Sequence, residues 1–230
     1  MTYQGTSSPK AGFVDAGVLL SFAPSVPEQK RDDTLNSILL AQLAADKRYS
    51  RFDQPDSWYE FYAKTLSNVA WQIIQSHTGH YTPLAGTFTL EEVVLDLLRE
   101  NVPDEEINLV NITIKTIEVL PDDDSRVEVY GAFSHRLHVV DVQAGVLSLL
   151  ESLWMAGVVF ATEQDVKRLS GQEFIVSKVI GEIKTIIYNA ALNEDLYAGV
   201  RDSVIEKLGR KRTELILSLT DPSSSETQPA

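Results

Sequence analysis

The pattern Ser/Thr-x-x-Glu occurs three times in the first hundred residues, and each time apolar residues at helical spacing follow it: Ser25-Val-Pro-Glu28, Ser57-Trp-Tyr-Glu60 and Thr89-Leu-Glu-Glu92. In such a capping box the hydroxyl accepts from a backbone N–H three residues on, and the Glu accepts from the N–H of the cap residue. Two donors that the helix leaves orphaned are satisfied together. The first box, with Pro27 in the opening turn, predicts a helix over about 26–47 with Leu35, Ile38, Leu39 and Leu43 on its buried face. The second predicts a helix carrying Trp58, Phe61, Tyr62, Thr65, Leu66, Val69 and Ile73, and ending at Gly79. The third is reinforced by Phe88 and Val93, which occupy the two positions of a hydrophobic staple, and by the face Val93, Val94, Leu97, Leu98.

Residues 101–124 carry two patterns. Val110, Ile112 and Ile114 alternate as in a strand. Pro103-Asp-Glu-Glu makes a good first helical turn, however, and Ile107, Val110, Ile114 and Ile117 keep helical spacing, so a fourth helix is expected. After Pro121 the character changes. "RVEVYGAF" (126–133) and "LHVVDVQ" (137–143) alternate or run apolar, and "EFIVSKVIGEIKTIIYN" (173–189) reads as two strands around Gly181. Residues 145–154 fit a helix by periodicity and a strand by their neighbours. Asn193 caps a helix through Val200, Val204 and Leu208 that stops at Gly209, and "ELILSL" (214–219) offers a last strand.

The expected fold class is therefore α+β: an N-terminal layer of about four helices packed on an antiparallel β-meander, with a C-terminal helix. One domain is expected over 25–220, with a helical half at 25–120 and a strand-rich half at 126–220. Residues 1–24 are expected to be a partly ordered extension and 221–230 a disordered tail. Within the extension, "AGFVDAGVLLSFA" (11–23) is read as a short buried segment or edge strand, since Asp15 interrupts it as a signal-peptide core.

Charge bounds the partners. With a net charge of −13, nucleic-acid binding would need a local basic patch against the overall field. The one basic run, Arg210-Lys211-Arg212, reads as compensation of a helix dipole. No cysteine is present, so neither a disulfide framework nor a thiolate metal site is possible. That composition suits a cytoplasmic protein or one exported without a classical signal peptide. No apolar run approaches the ~20 residues of a transmembrane helix.

All four histidines fall in two Ser-His-x-x-His pairs, 76–80 and 134–138. Imidazoles three apart converge on a metal when the segment is a helix or tight turn. If 134–143 is a strand, His135 and His138 point to opposite faces, so the candidate metal ligands are His77, His80 and His138. The bland reading is a set of surface or half-buried histidines at segment ends. Asp122-Asp123-Asp124 lacks the spacing of a calcium loop, with Val127 and Phe133 where Gly and Glu belong, and reads as a solvated turn. Glu91-Glu92 and Asp104-Glu105-Glu106 are explained by first-turn capping. No nucleophile elbow, phosphate loop, dinucleotide fingerprint or His-Glu-x-x-His motif occurs, and no catalytic residue or cofactor is assigned.

The helices are apolar on more than one side. Trp71 and Ile74 stand beside the second stripe, and Leu109, Ile112 and Val119 beside the fourth. Such surplus means burial between layers or a second partner. The first expectation is a non-enzymatic interaction protein that self-associates. The alternatives are a soluble toxin-like or effector protein acting on membranes or host targets, and a metal-dependent enzyme using the two histidine pairs. No motif identifies a family. The order of elements, helical hairpins before an amphipathic sheet, is loosely similar to single-domain cytolysins, a resemblance of layout alone.

Overall fold

The computed structural model describes residues 12–148, 150 and 152–219, so the expected tail at 221–230 lies outside the described residues. The architecture is α+β, and strands open it. β1 (Gly12–Asp15) and β2 (Val18–Phe22) make a hairpin about Ala16-Gly17 and are buried throughout. Residues read from sequence as the end of an extension thus form an internal part of the sheet. Two long helices follow, α1 (Glu28–Arg48) and α2 (Pro55–Asn68).

The second helix stops well short of Gly79. Ala70 adopts φ +70, a left-handed conformation that ends the helix, and Trp71–Tyr81 runs on as strand β3. The helical stripe misled because Val69 and Ile73 keep a spacing of four while Ile73 and Trp71 also keep a spacing of two. β4 (Thr87–Phe88) then leads into α3 (Leu90–Arg99), where the predicted capping box forms in full: Thr89 Oγ1 accepts from Glu92 N, and Glu92 Oε2 accepts from Thr89 N at 2.9 Å. α4 (Asp104–Glu118) is the expected fourth helix.

"RVEVYGAF" is not a strand but α5 (Ser125–Ser134). Its cap is Asp124, whose Oδ1 accepts from Arg126 N at 2.9 Å and from Arg126 Nε at 2.8 Å. These hydrogen bonds from Arg126 hold the Asp124 carboxyl below the usual range. Of the acidic run, Asp122 and Asp123 form the expected exposed turn and Asp124 caps the helix, while Asp122 also meets the Arg168 guanidinium at 2.5 Å.

The rest is mostly sheet: β5 (His135–Arg136), β6 (Val139–Leu147), β7 (Ser152–Thr162), β8 (Phe174–Ile175) and β9 (Val179–Leu192). Residues 145–147 end one strand and 152–154 begin the next, which resolves that ambiguity in favour of the neighbours. β9 passes unbroken through Gly181, whose φ of +76 absorbs a register shift against β7. The C-terminal helix divides into α6 (Glu194–Ala198) and α7 (Arg201–Leu208), and α8 (Lys211–Leu215) and β10 (Ile216–Ser218) close the described chain. The basic run docks onto α1, with Arg212 Nε donating to Asn36 Oδ1 at 2.7 Å.

The main sheet has the order β10-β1-β2-β6-β7-β9-β3, with β5 hydrogen-bonded to β6. It is mixed, not the expected antiparallel meander: β2 and β6 run parallel, β6-β7-β9 follow one another as antiparallel neighbours, and β3, from much earlier in the chain, is added antiparallel to β9. Side chains alternate between two cores. Val140, Val142, Ala144 and Val146 of β6 join Val93, Leu98, Val110 and Ile117 of α3 and α4. Leu20, Leu153 and Met155 join Ile38, Leu39, Trp58 and Leu66 of α1 and α2 on the opposite side. Helices therefore cover both faces. Of the surplus apolar residues, Trp71 is buried in the second core, whereas Ile74, Ile112 and Val119 stand exposed. Among the described residues, no helix is long and apolar enough to cross a membrane.

Candidate interaction site

β3 carries the largest departure from a closed fold. It pairs with β9 from Trp71↔Leu192 to Tyr81↔Ile183, and no described element pairs with its other side. A β-bulge between Ile73 and Gln75 inserts one residue and reverses the alternation. Before it, Trp71 and Ile73 face α2. After it, Ser76, Thr78 and His80 do so, while Ile74 stands out at 61% exposure. From Ile74 to Thr78 every residue is exposed.

Alongside this edge, α2 and the sheet leave a cleft of about 410 Å³. Tyr59, Tyr62 and Leu66 form its helix wall, and Ser76, Thr78 and Tyr188 are among its sheet residues. A smaller depression of about 200 Å³ continues it past Thr78 toward His80 and Lys184. Between the two, Lys184 Nζ approaches the Asp56 carboxylate at 3.3 Å, an exposed pair that contributes little by itself.

A polar layer lies under the cleft. Tyr62 and Tyr188 share a hydrogen bond at 3.0 Å, and Tyr59 donates to Asp141 Oδ1 at 2.7 Å. Gly157 makes room for that bond, since a Cβ there would come within 3.1 Å of the Tyr59 hydroxyl oxygen. Burial raises all three phenols, so each remains a protonated donor at neutral pH. Burial also pushes Asp141 up to about 6, although Arg51 and the Tyr59 hydrogen bond favour its charged form. Asp15 is raised well above the carboxylate range by burial, and neither of its carboxyl oxygens has a hydrogen-bond partner among the described residues. Arg51, only 2% exposed, anchors the near end of the layer. It donates to Asp46 and to the Phe133 carbonyl, and stacks on Trp58 at 4.2 Å.

The histidines are distributed over this frame without convergence. His77 and His80 sit in unbroken register opposite Ile187 and Lys184, so they point to opposite faces of β3, and His80 Nδ1 lies 3.2 Å from Glu182. His138 is three strands away, roughly 14 Å across the sheet, with Nδ1 3.2 Å from the Thr162 carbonyl oxygen. Among the described residues no three His, Asp or Glu side chains are grouped as a metal would need. Sequence reading missed Tyr59, Asp141 and Tyr188. The signal for Asp141 was present, since Asp141 and Gln143 alternate with valines as one polar face of an otherwise apolar strand.

No family model matches the chain, and no curated protein does. Several solved structures resemble it, two of them as follows. The Evf virulence factor is 10% identical, with 88% of this chain and 85% of that one covered and a TM-score of 0.37. A delta-endotoxin is 11% identical, with 86% and 92% covered and a TM-score of 0.35. Likenesses at this level carry no argument about function.

Proposed function

We propose that this chain is an interaction protein that self-associates by pairing β3 with the β3 of a second copy, antiparallel about a two-fold axis. The observation that supports the reading is the unpaired side of an eleven-residue edge strand that is exposed over its middle. Natural sheets protect such edges with Lys, Pro, β-bulges or very short strands, and the bulge in β3 lies near its start, before the exposed stretch 75–78. Here residues 71–81 hold no Lys, Arg, Asp, Glu or Pro, whereas the opposite edge, β10, is three residues long. Two copies of a −13 chain repel one another, and β3 is an uncharged stripe along which they can meet at lowest cost. Strand addition supplies main-chain hydrogen bonds, and the cleft beside α2 receives side chains from the added strand at alternate positions.

The test is native mass spectrometry and light scattering on the wild type and on Ser76→Lys/Thr78→Lys. Both positions are exposed, so the substitutions leave the core alone. A wild-type dimer that the double variant converts to monomer is the expected result. A monomer at every concentration, or a dimer indifferent to the two lysines, overturns the reading.

A further inference from the structure

An open concavity of about 380 Å³ lies where the end of α1, the α1–α2 loop, the end of α5 and the β5–β6 hairpin meet. Four cations line it, Lys47, Arg48, Arg51 and Arg136, against one carboxylate, Asp46. In a chain with 33 acidic and 20 basic residues such a concentration runs against composition. Compensation of the α1 dipole accounts for Lys47 and Arg48 taken alone. It does not account for Arg136, which comes from the sheet.

The one carboxylate is already engaged. Asp46 Oδ1 accepts from Trp58 Nε1 at 2.6 Å and from Arg51 Nε at 3.2 Å. Arg51 belongs to the floor. Among the described residues the one ion-pair partner of Arg136 is Asp53, at a loose 3.9 Å with both side chains exposed. Lys47 and Arg48 are exposed and make no ion pair among the described residues. Apolar walls complete the concavity: Tyr49, Phe52 and Phe133 line it, and the Arg48 guanidinium lies 5.9 Å from the Tyr49 ring centre. At the rim the hairpin is held tightly. Leu137 adopts φ +56, unusual for a leucine, and hydrogen bonding between its carbonyl and His135 Nε2 at 2.7 Å braces the turn that carries Arg136.

We infer that this concavity binds a phosphate group carried on an apolar or aromatic body. Two guanidinium forks and an ammonium match the charge and the several acceptor oxygens of a phosphate dianion. Lys47, Arg48 and Arg136 hold the phosphate, and the three rings receive the body. A soluble phosphomonoester and an anionic lipid headgroup both present this chemistry.

Calorimetric titration with inorganic phosphate and with phenyl phosphate, at low salt, tests the site. Phenyl phosphate is expected to bind more tightly than inorganic phosphate. Lys47→Ala/Arg48→Ala/Arg136→Ala is expected to weaken it about tenfold or more, the loss of at least one strong charge-assisted contact. The control Lys64→Ala/Lys207→Ala/Arg210→Ala removes the same charge from exposed positions elsewhere and is expected to bind as wild type. No binding of either phosphate, or equal loss in both triple variants, overturns the inference. Flotation with phosphatidylcholine vesicles, with and without phosphatidic acid, separates the sources. Recovery on the acidic vesicles that the first triple variant abolishes assigns the site to a lipid headgroup. Phenyl phosphate binding without flotation assigns it to a soluble phosphoester.

Discussion

Tyr59 donates its phenolic hydrogen to Asp141 Oδ1 at 2.7 Å, tying α2 to a fully buried carboxyl in the middle of the sheet. The bond is made at the floor of the candidate cleft, so the ionisation of Asp141 bears on how firmly α2 is seated there. Desolvation opposes the charged form of Asp141 more than Arg51 and the tyrosine support it, and the carboxyl titrates at about 6. The unfolded value is about 3.9. Because the folded value is the higher one, the stability this group contributes is fully present below about pH 4 and is lost as pH rises through about 6.

Asp141→Asn therefore stabilises the protein at neutral pH. The amide oxygen still accepts from Tyr59, and the cost of ionising a buried acid, at most about 3 kcal/mol for a shift of this size, is removed. Urea unfolding at a series of pH values checks it. The wild-type midpoint is expected to fall between about pH 4 and pH 6 more steeply than that of the variant. Asp15, raised in the same direction, adds to the slope in both proteins. Parallel curves would show that Asp141 ionises without penalty.

Arg51→Lys is expected to destabilise by about 2–4 kcal/mol. Arg51 is buried and spreads its donors over Asp46, Gln42 Oε1 and the Phe133 carbonyl while its guanidinium carbon lies over the Trp58 ring, 4.2 Å from its centre. A lysine places one ammonium there, cannot fork, and takes the guanidinium donor from the Phe133 carbonyl, while Gln42 Oε1 keeps the Gly17 N–H. Chemical denaturation followed by tryptophan fluorescence measures the loss. A change under about 0.5 kcal/mol would mean that the charge alone is needed.

How much of this was readable in advance depends on whether the deciding interaction is local. Thr89 and Glu92 are three apart and satisfy each other, so α3 was legible from its first turn. Asp124 also caps locally, but it stands third in an acidic run before a β-branched stretch, and the strand pattern of Val127 and Val129 outweighed the cap. β3 was hidden for a different reason. Its identity rests on pairing with β9, more than a hundred residues later, and the bulge at Ile73/Gln75 breaks the alternation that would have revealed it. The cleft inherits both difficulties. Tyr59 and Tyr62 were visible on a helix, but the strand opposite them was read as the helix's own continuation. The polar layer was written in the sequence as Asp15, Asp141 and Gln143, polar residues within apolar strands, yet only the fold shows that α1 and α2 cover all three.

Gly145→Ala isolates packing from the chemistry of the cleft. A Cβ at Gly145 would lie 2.3 Å from Met155 Sδ and 2.3 Å from the Trp154 carbonyl oxygen, and the second of these is backbone held by the β6–β7 ladder. The thioether can swing aside, but the carbonyl cannot move without parting the central strands. The substitution is expected to cost about 2–3 kcal/mol, in the upper range of overpacking. Thr89→Ala, which removes one exposed cap, is expected to cost about 1 kcal/mol. Thermal and urea unfolding of the two variants side by side give the order. If Gly145→Ala proved the milder change, the β6–β7 pairing at Gly145↔Met155 would be looser than the register requires.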